Sequence, residues 1–361
     1  MIEISNLRLV FPDGTDLFRG MNLSIDKGEV ISIIGPSGSG KSTLLRCINA
    51  LENPTQGQIF INGKDILDHK ANKPAMRRKI GMVFQQFRMF HNLDVLGNVT
   101  IGLIRLLDMT PADAEKKAME YLRMVGLSGK QHAMSSQLSG GEKQRVEIAR
   151  CLAMEPEVIL FDEPTSALDQ MMETEVIRVI QDLAKQGMTM VIVTHALEFA
   201  RSVSTRVLFM NDGVITEDGT PDQIFEHPKH TLTRLFIRDR MSLIWKVNNK
   251  DYDLYKINAE IEFYCKKNDF GKKYFTLELI TEELLTHFLP FTGPINFRIF
   301  VDESKQLAVE VEQENYDQPI IDSPTADEIS LMILQGLCRT LTETQEGNNR
   351  LISLVVGDPN E

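Results

Sequence analysis

A glycine-rich loop constrains the fold of this 361-residue chain more than any other feature. The segment Gly35-Pro36-Ser37-Gly38-Ser39-Gly40-Lys41-Ser42 has the pattern GxxxxGK[ST]. Residues 29–34 before it form an apolar run that predicts a buried strand, and the residues after Lys41 predict a helix. A strand, a glycine-rich loop and a helix in this order predict a site for the phosphates of a nucleoside triphosphate in an α/β fold.

Three side chains at the end of this loop have predicted roles. Glycines let main-chain N–H groups turn inward around phosphates, and the helix N-terminus adds partial positive charge. We expect the Lys41 ammonium to reach the β- and γ-phosphates, the Ser42 hydroxyl to bind Mg²⁺ and Thr43 to lie near the α-phosphate. The loop therefore predicts a nucleotide bound with a magnesium ion.

Two other apolar runs end in polar residues, which is typical of buried strands that deliver side chains to a site. Residues 158–161 precede Asp162 and Glu163, and residues 188–194 precede His195. We predict that Asp162 holds Mg²⁺, that Glu163 is the general base for an attacking water, and that His195 contacts the γ-phosphate. The alternatives are a carboxylate pair that caps a helix and a histidine that is packed or lies at the surface.

A glycine pair opens another predicted helix. The segment Leu138-Ser139-Gly140-Gly141-Glu142 precedes apolar residues at helical spacing, namely Val146, Ala149, Leu152 and Ala153. Ser139 is a good N-cap, and the two glycines expose main-chain amides. A simple helix cap is the alternative. Since only one of the two predicted anion sites carries a lysine, we expect them to bind the same phosphate from opposite subunits.

Taken in order, these motifs make residues 1–240 resemble the nucleotide-binding subunit of an ATP-binding cassette (ABC) transporter. The resemblance predicts a P-loop NTPase fold with a mixed sheet core and a helical signature subdomain. The matching motifs are Walker A at residues 35–42, the Q-loop at Gln85, the signature at residues 138–142, Walker B at residues 158–162, the catalytic Glu163, the D-loop at residues 166–169 and the switch His195.

The resemblance also implies how the cofactors ATP and Mg²⁺ are bound. Phe11 matches the aromatic residue that stacks on adenine. Gln85, which the resemblance places with Glu163 and His195 among the catalytic residues, senses the nucleotide and joins Ser42 and Asp162 at the magnesium ion. Two copies close head to tail around two nucleotides, so the chain is expected to be a homodimer. The other implied ATP-binding residues are Gly35, Pro36, Ser37, Gly38, Ser39, Gly40, Lys41, Ser42, Thr43, Ser139, Gly140, Gly141, Asp169 and Glu142, which stands where many members have Gln.

Further segments resemble the polar amino-acid uptake branch of this family. They are residues 44–54, 81–87, 188–195, 218–228 and 231–236. The match implies an importer whose partners are integral-membrane permease subunits and, indirectly, an extracytoplasmic solute-binding protein. Residues 87–93 match the groove that accepts a helix of the membrane subunit, although their aromatic residues suit a core as well. The alternative is a soluble regulatory ABC ATPase that is not coupled to transport.

The composition favours a cytoplasmic protein. No apolar run approaches the ~18 residues that cross a bilayer, and residues 1–6 lack the features of a signal peptide. The four cysteines form no CxxC pair, so we expect no zinc site. With the resemblance, these features predict a peripheral protein on the cytoplasmic face of the cell membrane.

The second predicted domain, residues 241–361, carries most of the net charge of −12. Residues 1–240 have 28 basic and 30 acidic side chains, whereas residues 241–361 have 11 and 21. An acidic segment of this kind is a poor binder of nucleic acid or anionic membranes. We therefore expect no nucleic-acid partner.

The pattern of this second domain predicts an α/β sandwich. The predicted elements are helices at residues 252–268 and 276–285, strands at 295–301 and 307–311, a helix from a capping box at residues 325–328 to Leu341, and a strand at 351–356. This order resembles the histidine-kinase-like ATPase fold of the anti-sigma-factor type.

The residues that bind nucleotide in that fold are missing from the second domain. Thr286 follows Glu282 where the family has Asn, and residues 313–315 replace its Asp-x-Gly box. We predict a regulatory or dimerising domain without nucleotide. A ferredoxin-like regulatory domain and a structural appendage are the alternatives.

Overall fold

The computed structural model describes residues 1–68, 72–248, 252–268, 270–289, 294–302, 304–314, 321, 327–346 and 349–357. The chain divides into two compact units, Met1–Ile237 and Arg238–Glu361. No helix in the described part of the chain is long and apolar enough to cross a bilayer. Each unit has its own apolar core.

The first unit contains strands and helices that are mixed along the chain. Its strands are β1 (Ile2–Val10), β2 (Asp16–Ile25), β3 (Val30–Ile34), β4 (Gln56–Ile61), β5 (Lys64–Asp65), β6 (Ile80–Val83), β7 (Val158–Asp162), β8 (Thr189–Val193), β9 (Arg206–Asn211) and β10 (Val214–Gly219). Its helices are α1 (Lys41–Ile48), α2 (Lys73–Arg78), α3 (Val95–Leu106), α4 (Pro111–Met124), α5 (Gly140–Ala153), α6 (Gln170–Lys185), α7 (Leu197–Val203), α8 (Pro221–Phe225) and α9 (Thr231–Arg240), which contains the unit boundary.

Two sheets organise this unit. One is antiparallel, with strand order β2-β1-β4-β5. The other has the order β10-β9-β3-β8-β7-β6, in which every pair is parallel except β9 with β10. The predicted mixed sheet is confirmed. The apolar runs at β3, β7 and β8 are fully buried, as expected for parallel strands that are covered on both faces.

The parallel order of β3, β8 and β7 positions the candidate site. Their carboxyl ends lie side by side, because neighbouring parallel strands run in the same direction. The phosphate loop follows β3, Glu163 follows β7, and His195 lies two residues after β8. All three predicted site segments therefore leave the sheet at the same edge.

A helical subdomain lies between β6 and β7 in the chain. Helices α3, α4 and α5 pack against one another, with Val99, Leu103, Ala118, Leu122 and Val146 in their shared core. The apolar positions that predicted α5 are indeed buried. This arrangement confirms the expected helical subdomain and places the signature segment at the N-terminus of α5.

The second unit contains an antiparallel sheet covered by helices. Its strands are β11 (Leu243–Val247), β12 (Ile295–Val301), β13 (Leu307–Gln313), β14 (Cys338–Glu346) and β15 (Asn349–Val356), in the order β11-β12-β13-β15-β14. Its helices are α10 (Leu254–Lys267), α11 (Tyr274–Glu282), continued by a π-helical turn at Glu283–Phe288, and α12 (Glu328–Leu337). Alternate strand residues such as Phe297, Val309 and Leu354 pack in one core with Ile261 and Ile280 of the helices. The α/β sandwich is therefore present.

The only tryptophan of the chain belongs to this second unit. The indole N–H of Trp245, on β11, donates a hydrogen bond of 2.7 Å to Glu260 Oε2 on α10. Its ring lies 5.8 Å from the ring of Phe297 on β12, measured between centroids. These two contacts tie the edge strand β11 to a helix and to its neighbouring strand.

Two parts of the prediction for this unit are wrong. The predicted last helix ends at Leu337, so Leu341 lies on β14, opposite Leu354 of β15. The reason is the alternation of Thr340, Leu341 and Thr342, in which both threonines are exposed and the leucine faces the core. Strand β11 was not predicted either. The capping box at residue 325 lies outside the described residues, and Asp327 is the N-cap of α12.

Two hairpins of the first unit use the same tight turn. Asn62-Gly63 joins β4 to β5, and Asp212-Gly213 joins β9 to β10, with positive φ at both residues of each turn. Gly63 and Gly213 both have φ of 73°. Their surroundings differ, because a Cβ on Gly63 would meet open space, whereas one on Gly213 would overlap the carbonyl oxygen of Leu17. The Gly213 N–H also donates to the Ser39 carbonyl of the phosphate loop at 3.1 Å.

Alanine at these two glycines separates backbone strain from crowding. We expect Gly63→Ala to lower the free energy of unfolding of the first unit by about 1–2 kcal/mol, the cost of the left-handed conformation. Gly213→Ala should lower the free energy of unfolding by about 1–3 kcal/mol more than Gly63→Ala does, because the new methyl group must displace the Leu17 backbone. Urea unfolding, with the first unit identified as the transition that ATP shifts, measures both values. Equal losses would contradict the crowding argument.

Candidate active site

The phosphate loop needs its glycines for both conformation and space. Gly35, Gly38 and Gly40 have φ of 148°, 80° and 97°, a region that L side chains rarely adopt. A Cβ on Gly35 would overlap the carbonyl oxygen of Met210, and one on Gly40 would lie 2.9 Å from a ring carbon of Phe18. Gly40 is also the N-cap of α1. The loop is therefore a tight main-chain turn on a helix N-terminus, the geometry that binds phosphate.

Lys41 lies inside this loop and is 5% exposed. Its ammonium donates hydrogen bonds to the carbonyl oxygens of Gly35 and Pro36 at 2.9 and 2.6 Å, and it lies 3.4 Å from Ser39 Oγ. The positive charge is thus held by the loop that it is predicted to serve. Of the other loop residues, Ser39 is buried, Pro36 and Thr43 are half-buried, and Ser37 and Gly38 are exposed.

The structure brings the two predicted magnesium ligands Ser42 and Asp162 together. The Ser42 hydroxyl donates to Asp162 Oδ1 at 2.6 Å, and the Asp162 side chain is buried at the end of β7. A hydroxyl and a carboxylate oxygen suit Mg²⁺, which proteins hold through one or two carboxylates together with substrate phosphates. No cluster of three His, Cys, Asp or Glu side chains in the described residues offers a metal site of another kind.

The three predicted catalytic side chains also meet. Glu163 Oε1 lies 3.1 Å from His195 Nε2, and the Gln85 side-chain amide donates to Glu163 Oε2 at 3.3 Å. Glu163 is a non-glycine residue with φ of 51°, and its N–H donates to the Val193 carbonyl at 2.8 Å. Such strained residues are concentrated at active sites. The amide of Gln85 contacts Glu163, and its role at the metal stays a prediction.

The signature segment forms a capped helix start. The Ser139 hydroxyl accepts the Glu142 N–H at 3.3 Å, while Glu142 Oε2 accepts the Ser139 N–H at 2.9 Å, which is a capping box. Glu142 Oε1 lies 2.6 Å from the Lys130 ammonium. Gly140, the half-buried first residue of the helix, follows the N-cap Ser139. A Cβ at this position would lie 3.2 Å from the Leu168 side chain. Ser139 and Glu142 thus shape the helix end that is predicted to bind phosphate.

Phe11 and Asp169 occupy structural positions next to the predicted site. Phe11 follows β1 and packs, half-buried, against the core that contains Leu44 and Leu45 of α1. Asp169 is the N-cap of α6, and its carboxylate accepts the Met172 N–H at 3.0 Å. Their contacts with nucleotide stay predictions.

The predicted docking segment, residues 87–93, is partly core and partly exposed. Met89 is buried, whereas the Phe90 side chain is 49% exposed. Asn98 of α3 is fully buried, and its side-chain amide donates to the carbonyls of Phe90, Leu93 and Asp94 at 2.9–3.1 Å. The segment is therefore held firmly while it presents an aromatic ring.

Sequence reasoning missed two buried polar residues near the site, Asn98 and Glu147. Asn98 holds the docking segment, and Glu147 of α5 accepts the Arg88 N–H. For Asn98 the available signal was a single polar residue among the apolar residues of a helix, because such a side chain needs a specific partner when it is buried. Glu147 lies on a polar helix face with Gln144 and Arg150 and gave no such signal.

A cavity of about 440 Å³ lies elsewhere in the first unit. Residues of β4, β5, α2 and β6 line it, together with Glu157 before β7. Glu157 precedes β7, whereas Glu163 follows it, so the cavity opens at the opposite end of this strand from the predicted catalytic residues.

The comparisons with known proteins agree with this geometry. A family model described as ABC transporter matches residues 18–166. The glutamine transport ATP-binding protein GlnQ of Bacillus subtilis is 48% identical over 237 residues, which are 66% of this chain and 98% of that protein. The L-cystine import ATP-binding protein TcyN of the same species is 49% identical over 241 residues, 66% of this chain and 93% of that protein.

Solved structures resemble the chain in the same way. The dimeric ATP-binding cassette MJ0796, in a post-hydrolysis state bound to ADP and Pi, is 36% identical with a TM-score of 0.57, covering 61% of this chain and 99% of that one. The cbiO1 protein of Clostridium perfringens, part of the transporter complex cbiONQ, is 31% identical with a TM-score of 0.58. The match covers 62% of this chain and 90% of that one.

The capping box predicts a pH dependence of stability. Partial burial raises the pKa of Glu142, but the Lys130 ammonium and the Ser139 N–H lower it by more, so the net pKa lies below 4.5. A lowered folded-state pKa stabilises the fold at neutral pH, and that stabilisation is lost as the pH falls through 4.5 toward the folded pKa. We therefore expect Glu142→Gln, which keeps the cap but not the charge, to lose less stability than the wild type between pH 7 and 4.

Urea unfolding at a series of pH values measures this difference. Glu120→Gln, on the exposed side of α4, is the matched control and should unfold with the wild-type pH dependence. If Glu142→Gln also kept the wild-type pH dependence, the ion pair with Lys130 would have no role in stability.

Proposed function

Because the chain belongs to the family of ABC transporter ATP-binding proteins, we propose that it is the ATP-hydrolysing subunit of an importer for polar amino acids. Three similar proteins are named as ATP-binding proteins of glutamine transport, L-cystine import and arginine transport. The observation that carries the proposal is the contact of Glu163 with both His195 and Gln85, beside the hydrogen-bonded pair Ser42 and Asp162. Each of these residues has a distinct task in hydrolysis of the γ-phosphate.

Binding and orientation of ATP fall to the loop residues. The main-chain amides of residues 35–43 surround the phosphates, and the Lys41 ammonium exchanges its carbonyl partners for phosphate oxygens. Ser42, Asp162 and Gln85 would hold Mg²⁺, which when bound would neutralise charge on the phosphates. Phe11 stacks on the adenine, a task that needs only the face of its ring.

The chemical step depends on Glu163. Its carboxylate accepts a proton from a water molecule, whose oxygen attacks the γ-phosphorus as the bond to the ADP oxygen breaks. His195 holds this carboxylate in place through the contact of 3.1 Å and reaches the γ-phosphate. Gln85, which contacts the same carboxylate, reports the presence of the phosphate to residues 87–93.

Two chains complete each site in this proposal. Lys41 of one copy and Ser139, Gly140, Gly141 and Glu142 of the other bind the same nucleotide, with Asp169 at the seam. The start of α5 supports this, because it is a helix N-terminus capped by Ser139 whose first two residues are glycines, the half-buried Gly140 and the buried Gly141. A similar cassette has been solved as a dimer with ADP and Pi.

Coupling to transport requires membrane partners. We propose that the exposed ring of Phe90 and its neighbours in residues 87–93 receive a helix of an integral-membrane permease, at the cytoplasmic face of the membrane. An extracytoplasmic solute-binding protein would deliver the amino acid to that permease. Asn98, which anchors the segment, would transmit force between the permease and α3.

The second unit is proposed to be a regulatory or dimerising domain without nucleotide. Gln313, where the histidine-kinase-like fold has its Asp-x-Gly box, is buried and accepts a hydrogen bond from Arg350, which lies 3.8 Å from Glu343. Thr286 contacts the Tyr252 hydroxyl at 3.0 Å. Strand β11 lies at a sheet edge in a β-α-α-β-β-α-β-β order, unlike the β-α-β-β-α-β order of the ferredoxin-like alternative.

Replacing the general base should stop turnover but not binding. We expect Glu163→Gln to hydrolyse ATP about 100- to 10,000-fold more slowly than the wild type, because it removes proton transfer and leaves the phosphate loop intact. With ATP it should accumulate as a closed dimer, which size-exclusion chromatography separates from the monomer. In cells it should abolish uptake of the labelled polar amino acid that the wild-type chain supports.

The control for this variant is Glu3→Gln on the exposed side of β1, which should behave as the wild type. Unchanged turnover of Glu163→Gln would refute the general-base role. If hydrolysis were lost while uptake of every polar amino acid continued, the chain would be an ABC ATPase that is not coupled to transport.

The second unit can be tested for nucleotide in the full chain. Equilibrium dialysis should show that each wild-type chain binds one ATP. Lys41→Ala should lose that binding, because the Lys41 ammonium is the only cation of the phosphate loop. Lys64→Ala, at an exposed position of β5, is the control. Two ATP bound by each wild-type chain, with one of them retained at unchanged affinity by Lys41→Ala, would place a nucleotide site in the second unit.

A further inference from the structure

One face of α5 contacts the segment that carries Gln85. Gln144, Glu147 and Arg150 are spaced three residues apart, so their side chains share a face of the helix. The Gln144 amide donates to the Phe84 carbonyl at 3.4 Å. Arg150 Nη1 donates to the Arg88 carbonyl at 2.8 Å.

Glu147 is the centre of this contact. Its side chain is 2% exposed, its Oε1 accepts the Arg88 N–H, and the same oxygen lies 3.5 Å from Arg150 Nη2. Burial raises the pKa of Glu147, while the main-chain N–H groups of Arg88 and Phe84 and the charge of Arg150 oppose that rise. A buried carboxylate needs such partners, because desolvation without them is unfavourable.

The contacts hold the segment on both sides of Gln85. Phe84 precedes Gln85 and Arg88 follows it, and the Arg88 guanidinium lies over the Phe84 ring at 3.9 Å. Between them, Phe87 reaches the start of the helix, since a Cβ on Gly140 would lie 3.4 Å from the end of its ring. Residues 84–88 are therefore fastened along about three turns of α5, from Gly140 to Arg150.

We propose that Glu147 is a positioning residue that makes the Gln85 segment and the signature helix move as one body and so couples the two nucleotide sites of the dimer. This inference rests on the proposed function, in which Gln85 serves the nucleotide of its own chain while Ser139 and the glycines after it serve the partner's. A displacement of Gln85 by one γ-phosphate is then passed through Glu147 to α5, and from its N-terminus to the other γ-phosphate.

This coupling has a kinetic signature. Two linked sites give a Hill coefficient for ATP hydrolysis of up to about 2, and two independent sites give about 1. Nucleotide binding to a single chain uses the loop at Lys41 and does not involve Glu147. Loss of the coupling should therefore change cooperativity and kcat while leaving the affinity of the isolated chain for nucleotide unchanged.

The test compares Glu147→Ala and Glu147→Gln in the full chain with a control, Glu175→Gln. Glu175 of α6 pairs with Arg145, also on α5, so the control removes a carboxylate that touches the same helix but not the Gln85 segment. We expect a Hill coefficient between about 1.5 and 2 for the wild type and the control, and near 1 for Glu147→Ala. The kcat of Glu147→Ala should fall about 10- to 100-fold, as for other small displacements at active sites.

Glu147→Gln keeps an oxygen for the Arg88 N–H and loses the attraction to Arg150, so its Hill coefficient should lie between those of the wild type and Glu147→Ala. It also decides the question if the alanine variant fails to fold. Hydrogen exchange of peptides that cover residues 84–93 should be faster in both variants than in the control, because the Arg88 amide has lost its acceptor or shares a weaker one.

Three results overturn the proposal. The first is a wild-type Hill coefficient in Glu147→Gln together with wild-type exchange of residues 84–93. The second is a lower affinity of the single chain for a fluorescent ATP analogue in the Glu147 variants, which would assign the residue to binding. The third is a wild-type chain that hydrolyses ATP as a monomer with a Hill coefficient of 1, which would refute the proposed dimer itself.

Discussion

The parallel pairing of β3, β8 and β7 is the constraint on which the candidate site depends. These strands are buried on both faces, and their hydrogen bonds fix a common direction. Their carboxyl ends consequently gather a glycine-rich loop, two carboxylates and a histidine that are up to 160 residues apart in the chain. None of these side chains could be placed by local structure alone, so the apolar strands determine the chemistry as much as the polar residues do.

Close main-chain approach is the second requirement of the site, and it explains why glycine recurs at places that differ in role. Gly35 and Gly213 face carbonyl oxygens directly, and Gly140 faces Leu168 and Phe87. The hairpin at Gly213 hydrogen-bonds the phosphate loop through the Ser39 carbonyl, so a turn far from this loop in sequence supports the segment that is proposed to bind nucleotide. The main chain also turns sharply at Glu163, which has a positive φ directly after the buried strand β7.

Elements whose signals are local in the sequence could be predicted, whereas those that depend on residues far away in the chain could not. The strands β3, β7 and β8 and the helices α1 and α5 were predictable because their apolar spacing and glycine signals are local. The first residues of β14, as far as Leu341, were predicted as helix because the apolar helix before them outweighed the alternating threonines, and β11 was missed because it pairs with residues about 50 positions away. Asn98 gave only the signal of a polar residue in an apolar stripe, and Glu147 gave none, because Gln144 and Arg150 share its face of α5 and its partners are known only once the chain is folded.

The single tryptophan has a practical meaning for a protein with two units. Trp245 is fixed by Glu260 and Phe297 within the acidic C-terminal unit, whereas the phosphate loop and the signature helix contain no indole at all. Intrinsic emission excited at the red edge of protein absorption therefore originates from one unit alone. A change of that emission when ATP is added would be a spectroscopic record of communication between the cassette and its appended domain, obtained without any label.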